Sequence, residues 1–155
     1  MRYWIFQCNP KRYDIDGRLA EGESEISWLV TRYKNDIAPG DLAFIWQAGP
    51  HRGVRAIMRV ESAPGDLVDR DLDAQYWSDP GDKRLACRVQ GTLIARFSVA
   101  GVDEIRAVPG LRDLSILRVP QGTNFAVSQE EAGLLLKLLR RTGKIPPEFD
   151  VRAEW

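Results

Sequence analysis

The sequence predicts a single α+β domain, a strongly curved sheet of about five or six strands with a few helices around it. Three observations point there. The stretch "KRLACRVQGTLIARFS" alternates for longer than an ordinary strand: Leu85, Cys87, Val89, Gly91, Leu93, Ala95 and Phe97 point one way, and Arg84, Arg88, Gln90, Thr92 and Arg96 point the other. Such length implies a bent strand of a curved sheet or barrel, with Gly91 marking the bend. The triplet Pro-Gly-Asp recurs from Pro39, Pro64 and Pro80 at unequal spacings, which is turn chemistry rather than a repeat. The stretch "SQEEAGLLLKLLRRTG" is a capped amphipathic helix. Ser128 and Glu131 form a capping box, Leu134, Leu135, Leu138 and Leu139 make the apolar face, Arg140 and Arg141 sit where the dipole favours cations, and Gly143 can end it.

The remaining elements follow in chain order. "RYWIFQCN" is rich in aromatics and reads as a first strand. The polar run "PKRYDIDGRLAEGESE" reads as a loop with a short helical turn. "EISWLVTRYKND" fits a helix or an irregular segment, and its pattern does not decide between them. "LAFIWQ" and "GVRAIMRVES" are strands between turns. In the second, Val54, Ala56, Met58 and Val60 alternate with Arg55, Ile57 and Arg59, the mark of a half-buried strand. "VDEIRAV" before Pro109 reads as a short helix. Pro146 and Pro147 stop the last helix, so the domain spans 1–145 and a peripheral tail spans 146–155.

Composition narrows the function. The chain has 155 residues, 44% of them hydrophobic, with 22 basic and 22 acidic side chains. That is one domain with room for a real core. A neutral chain does not coat nucleic acid by bulk attraction, so binding there would need a local patch. No run of about 18 apolar residues exists, so no membrane partner is expected. The start is not a signal peptide, and Cys8 and Cys87 are too few for a disulfide framework, which points to a reducing cytoplasm. Catalytic constellations are scarce. His51 is the only histidine, and there is no GxSxG elbow, P-loop or HExxH. The acidic run Asp66–Asp73 lacks the glycine and final glutamate of a calcium loop and reads as solvated. No catalytic residue, metal site or cofactor is therefore expected, and the chain reads as a non-enzyme.

A binding module fits better. Trp28, Trp46, Tyr3, Tyr33 and Asn9 fall near strand ends and loops. Aromatic walls plus an amide suit a planar base, with stacking for the faces and hydrogen bonds for the edge. Trp46 closes its strand beside Gln47, and the chain then turns through Gly49 and Pro50. Arg32, Lys34, Arg52 and Arg55 lie close by in sequence and could hold flanking phosphates. Each has a plainer alternative: a tryptophan at a strand end is most often core, and strand arginines are usually solvated. A pocket role for Trp28 implies that its loss abolishes binding with only modest destabilisation.

"YWIFQCNP" at 3–10, Trp28, "RYKNDIAPGDLAFIWQAGPHRGVRAIMRVESAP" at 32–64, a long strand and a late "VSQEE" together resemble the EVE domain, a family of the PUA-like superfold related to YTH domains. The order and spacing of these pieces, over roughly residues 2–140, carry the resemblance. It implies a PUA-like strongly curved sheet or barrel with flanking helices. It also implies a non-catalytic reader that accepts a modified nucleobase in an aromatic pocket: modified cytosine in DNA, or a modified base in RNA. The implied partner is nucleic acid carrying that base, with room for an effector protein such as a nuclease. By position, Cys8 and Asn9 end the first strand at the base, Trp28 matches one aromatic wall, and Trp46 and Gln47 frame the floor. The second cage tryptophan of the YTH relatives has no counterpart near Gly91. Either Trp46 or a tyrosine supplies that wall, or the pocket is wider. The other function class is a protein-interaction or small-ligand module on the same fold.

Overall fold

The structure, a computed structural model, describes residues 1–152. Its strands are β1 (Tyr3–Cys8), β2 (Glu25–Leu29), β3 (Leu42–Gln47), β4 (Gly53–Val60), β5 (Gly65–Leu67), β6 (Ala86–Gly101) and β7 (Asn124–Val127). The helices are α1 (Ile15–Ala20), α2 (Asp71–Ala74), α3 (Val102–Arg106), α4 (Ser115–Arg118) and α5 (Gln129–Arg141), with a 3₁₀ turn at Pro80–Lys83. All seven strands form one curved, open sheet in the order β2-β6-β4-β3-β1-β7, and β5 pairs with the start of β6. The α+β expectation holds, with more strands than the sequence suggests. The undecided segment supplies one of them: Ile26 and Trp28 are buried, alternating with the less buried Ser27 and Leu29, and Trp28 sits opposite Val89 of β6.

Two cores flank the sheet because its central strands are buried on both faces. Leu42, Phe44 and Trp46 of β3 pack with Ile105, Ile116, Leu135 and Leu139. Ala43 and Ile45 face the other way, with Trp4, Phe6, Ile15, Trp28 and Ile37. The unbroken apolar run "LAFIW" is what a strand covered on both sides requires. The same covering corrects the half-buried reading of β4, since Ile57 is fully buried along with Val54, Ala56 and Met58. The last helix forms as its pattern dictates, with the Ser128–Glu131 box closed in both directions. Its buried face is broader than expected and includes Leu136 and Ala132, while Leu134 is only partly buried. The segment beyond residue 145 is not peripheral as far as residue 152. Phe149 and Val151 pack on the helical core, and Arg140 Nη2 donates to the Phe149 carbonyl at 2.7 Å. Trp155 lies outside the described residues.

The long strand is present, but its irregularities sit past Gly91. The β4–β6 register slips between Ile57 and Met58 and again between Val54 and Ala56. Gly91 has another role. A Cβ there would lie 2.7 Å from the Arg59 carbonyl oxygen and would overlap the Met58 side chain. The backbones of β4 and β6 meet where no side chain fits. Gly91→Ala is therefore expected to cost about 1–3 kcal/mol by overpacking. The check is a lower urea midpoint at unchanged slope.

One pairing sets the position of the site. β1 and β3 run parallel, Cys8 opposite Gln47, whereas the other paired strands run antiparallel. Both chains therefore leave the sheet at the same end, side by side, where Ala48 N donates to the Cys8 carbonyl at 2.9 Å.

Candidate functional site

A cavity of about 600 Å³ lies at that shared end. This is within the range of about 300–1,000 Å³ typical of small-molecule sites. β1 contributes Gln7 and Cys8, followed by Asn9, Arg12 and Tyr13. β2 contributes Ser27, Trp28 and Leu29, and Trp46, Gly49 and Arg52 come from the end of β3 and its turn. The far wall holds Asp69, Trp77 and Arg88, with Ile116, Pro120, Gly122 and Thr123 opposite. Gln7 fixes that last stretch, donating through Nε2 to the carbonyls of Pro120 and Gly122 at 2.9 and 2.7 Å. Gly49 turns the chain with φ 97°, and a Cβ there would meet open space.

The aromatic wall is a cluster around Tyr13. Its ring stands edge-on to Trp77 at 4.8 Å and to Trp28 at 6.5 Å. A tyrosine and a loop tryptophan thus stand beside Trp28. Trp28 belongs to the core and the cavity together: it is 6% exposed, packed in the second core, and on the lining. Among the described residues neither Trp28 nor Trp46 donates its indole N–H to the protein, whereas Trp4 and Trp77 both do. Buried tryptophans usually find such a partner.

The proposed polar residues separate into two groups. Cys8 and Asn9 line the cavity. The Cys8 thiol is pushed up to about 12, chiefly by burial, which favours its neutral form. Asn9 Oδ1 is spent on Lys11 N at 3.0 Å, while its Nδ2 has no partner among the described residues. Gln47 is not on the lining. It is 8% exposed, donates to the His51 carbonyl at 2.5 Å and accepts from Arg55 at 2.6 Å, which clamps the β3–β4 turn. Arg55 is held in the same clamp, bonded also to Asp16 and to the Phe97 carbonyl. Arg32 stacks its guanidinium over Tyr33 at 5.5 Å, and Lys34 is exposed in the same loop; neither lines the cavity. Of the four cations only Arg52 reaches it, and its guanidinium has no partner among the described residues.

Two expectations fail on this wall. The acidic run is solvated only in part, at the exposed Asp66 and Asp71. Asp73 is fully buried, bound to Arg18 Nε at 2.6 Å, to Ser27 N and to Arg70, and Asp69 is 6% exposed. Arg88 is not outward-facing. It is sealed under the 69–84 segment, donating to the carbonyls of Leu67, Asp82 and Arg84. Alternation marks which face a side chain takes, but not whether a loop crosses over that face. The aromatics Tyr13 and Trp77 lie in polar stretches, and that oddity was the signal available for them. Among the described residues no three histidine, cysteine or acidic side chains could hold a metal ion together.

The EVE domain family matches residues 2–138. The chain belongs to the EVE family. No curated protein matches it by sequence. Solved structures similar to this EVE domain include a hypothetical protein from Leishmania major, at 17% identity and TM-score 0.69 over 92% of this chain and 97% of that one. Another is the human THYN1 protein in complex with DNA containing 5-methylcytosine, at 14% identity and TM-score 0.61 over 89% and 97%. A protein from Agrobacterium tumefaciens is similar at 19% identity and TM-score 0.61, over 95% and 97%. At these identities the likeness is one of fold. No helix of this EVE domain, among the described residues, is long and apolar enough to cross a membrane.

Proposed function

We propose that this EVE domain is a non-catalytic reader that takes a modified nucleobase into the cavity at the shared end of β1 and β3. The observation that carries the reading is the lining itself. Trp28, Tyr13 and Trp77 offer aromatic surface, two indole N–H groups are unspent, and an unpaired guanidinium, Arg52, stands on the wall. A flipped base needs those parts: faces to stack on, donors for its edge, and a cation for a flanking phosphate. The THYN1 complex with 5-methylcytosine-containing DNA supports modified cytosine as the first base to test. RNA is the second nucleic acid in this reading. A reader with no chemistry of its own acts through an effector such as a nuclease, and the reading places both in the cytoplasm.

Fluorescence anisotropy with labelled DNA and RNA oligonucleotides, each carrying cytosine or 5-methylcytosine at one position, tests it. Tighter binding of a modified strand supports the reading, and equal binding of modified and unmodified strands in both DNA and RNA overturns it. Arg52→Ala is expected to weaken modified and unmodified strands alike and to reduce the salt slope by about 1, as for one phosphate contact. A loss confined to the modified strand would assign Arg52 to the base instead. Oligonucleotides should be recovered intact with and without divalent metal. Cleavage that disappears in His51→Ala would make the domain an enzyme.

A further inference from the structure

Asp69 carries the one buried side-chain polar atom, among the described residues, that has no hydrogen-bond partner: its Oδ1. The residue lines the cavity. Its other oxygen is committed, since Oδ2 accepts from Trp77 Nε1 at 2.7 Å, and that bond sets the plane of the carboxyl. Beside it stands Arg88, also on the lining and 1% exposed. Arg88 spends Nε and Nη2 on backbone carbonyls, while Nη1 lies 3.9 Å from Asp69 Oδ2 and makes no hydrogen bond among the described residues. Asp69 Oδ1 and Arg88 Nη1 thus stand on one wall, each without a hydrogen-bond partner among the described residues. A buried polar group left unpaired costs stability, and natural proteins seldom leave one without a use.

We infer that Asp69 reads the edge of the bound base, its Oδ1 accepting from an exocyclic amino group while Arg88 Nη1 donates to the neighbouring ring nitrogen or carbonyl. The chemical class is a base with an amino group beside a ring acceptor, as on cytosine or adenine. The matching oxo bases, thymine or uracil and hypoxanthine, present an oxygen to Asp69 and a ring N–H to Arg88, which is wrong at both places. Burial, with the Asp73 carboxylate nearby, pushes the Asp69 carboxyl above its usual range, against the opposing pull of the Trp77 N–H, Arg88 and the Arg70 backbone N–H. This inference rests on the base-reading function proposed above and adds which base edge the site demands.

Thymine and 5-methylcytosine share their shape and differ only at that edge, so the pair isolates it. Binding is measured for single-stranded oligonucleotides carrying, at one position, 5-methylcytosine or thymine, cytosine or uracil, and adenine or hypoxanthine. The expected result is a preference of roughly tenfold or more for the amino member of whichever pair binds. Asp69→Asn supplies the second reading. The Trp77 N–H holds the amide oxygen, which turns the amide nitrogen, a donor, toward the cavity. The preference is then expected to fall or reverse toward the oxo base. The variant leaves the buried Arg88 guanidinium without its carboxylate and is expected to lower the urea midpoint, so circular dichroism in the binding buffer is used to establish that it is folded before its preference is read. Equal affinity for amino and oxo members, or a ratio unchanged in folded Asp69→Asn, overturns the inference while leaving Trp28-dependent base binding standing. No Trp28-dependent binding of any oligonucleotide overturns both.

Discussion

Replacing Asp73 by alanine is expected to cost about 3–5 kcal/mol of stability, the toll of leaving a buried charge without its counter-ion. Arg18 has no exposed surface, and its Nε–H points at Asp73 Oδ1 at 2.6 Å. Its other nitrogens donate to the carbonyls of Glu23 and Glu25, so nothing else balances the charge. Asp73 also accepts from Ser27 N at 3.1 Å, and Ser27 immediately precedes Trp28 on β2. Its loss strands a guanidinium and frees a backbone N–H in the same place. The measurement is urea unfolding of Asp73→Ala beside the double variant Arg18→Met, Asp73→Leu. The double variant removes both charges, keeps much of the volume, and is expected to recover most of the loss. A double variant as unstable as the single one would mean that packing, not charge, is what α1 and α2 supply. The exposed pairs, such as Arg2 with Asp36, are worth little by comparison.

Trp28→Ala is the second large effect, and it has two parts. At 6% exposure within a core that includes Tyr13, Ile26 and Val89, truncation is expected to cost about 3–5 kcal/mol. Loss of oligonucleotide binding should accompany it, because the same indole lines the cavity. The expectation of a modest stability cost fails because a residue can line a cavity and still be packed in the core. Trp28→Phe separates the two parts. It keeps most of the packing and a stacking face, so it should fold stably and still bind, but with weakened affinity. A folded Trp28→Phe that binds as tightly as the wild type would remove the indole N–H from any role in the site.

The α+β class, the capped last helix and the long strand were legible because each is a local pattern. Ser128 and Glu131 need only each other, and the alternation from Cys87 to Leu93 needs only a sheet, whereas the register slip after Leu93 sends Ala95 and Phe97 to the opposite core from the one their spacing predicts. The family was legible from the order of several such pieces. The site was half legible. Cys8, Asn9, Trp28, Trp46 and Arg52 stand at strand ends, and the parallel pairing of β1 with β3 gathers them. Gln47 and Arg55 misled because a polar side chain at a strand end can as easily clamp a turn as face a ligand. Asp69, Asp73 and Arg88 were invisible for a different reason. Their burial is decided by the 69–84 segment folding back over β6, a contact that no spacing in the chain encodes.

The parallel pairing of β1 with β3 has an evolutionary side. Antiparallel neighbours send successive loops to opposite ends of a sheet, so a lineage that alters one loop seldom alters the next one's surroundings. Here two loops, 9–13 and 48–52, spring from adjacent strands at a single rim, while the strands beneath them stay locked in register. Substitutions at the exposed positions of either loop change the rim while the buried Tyr13 and the strands beneath keep their packing. A scaffold of this kind can diverge in specificity faster than in shape, and grafting both loops together, rather than either alone, is the natural unit of exchange between two such domains.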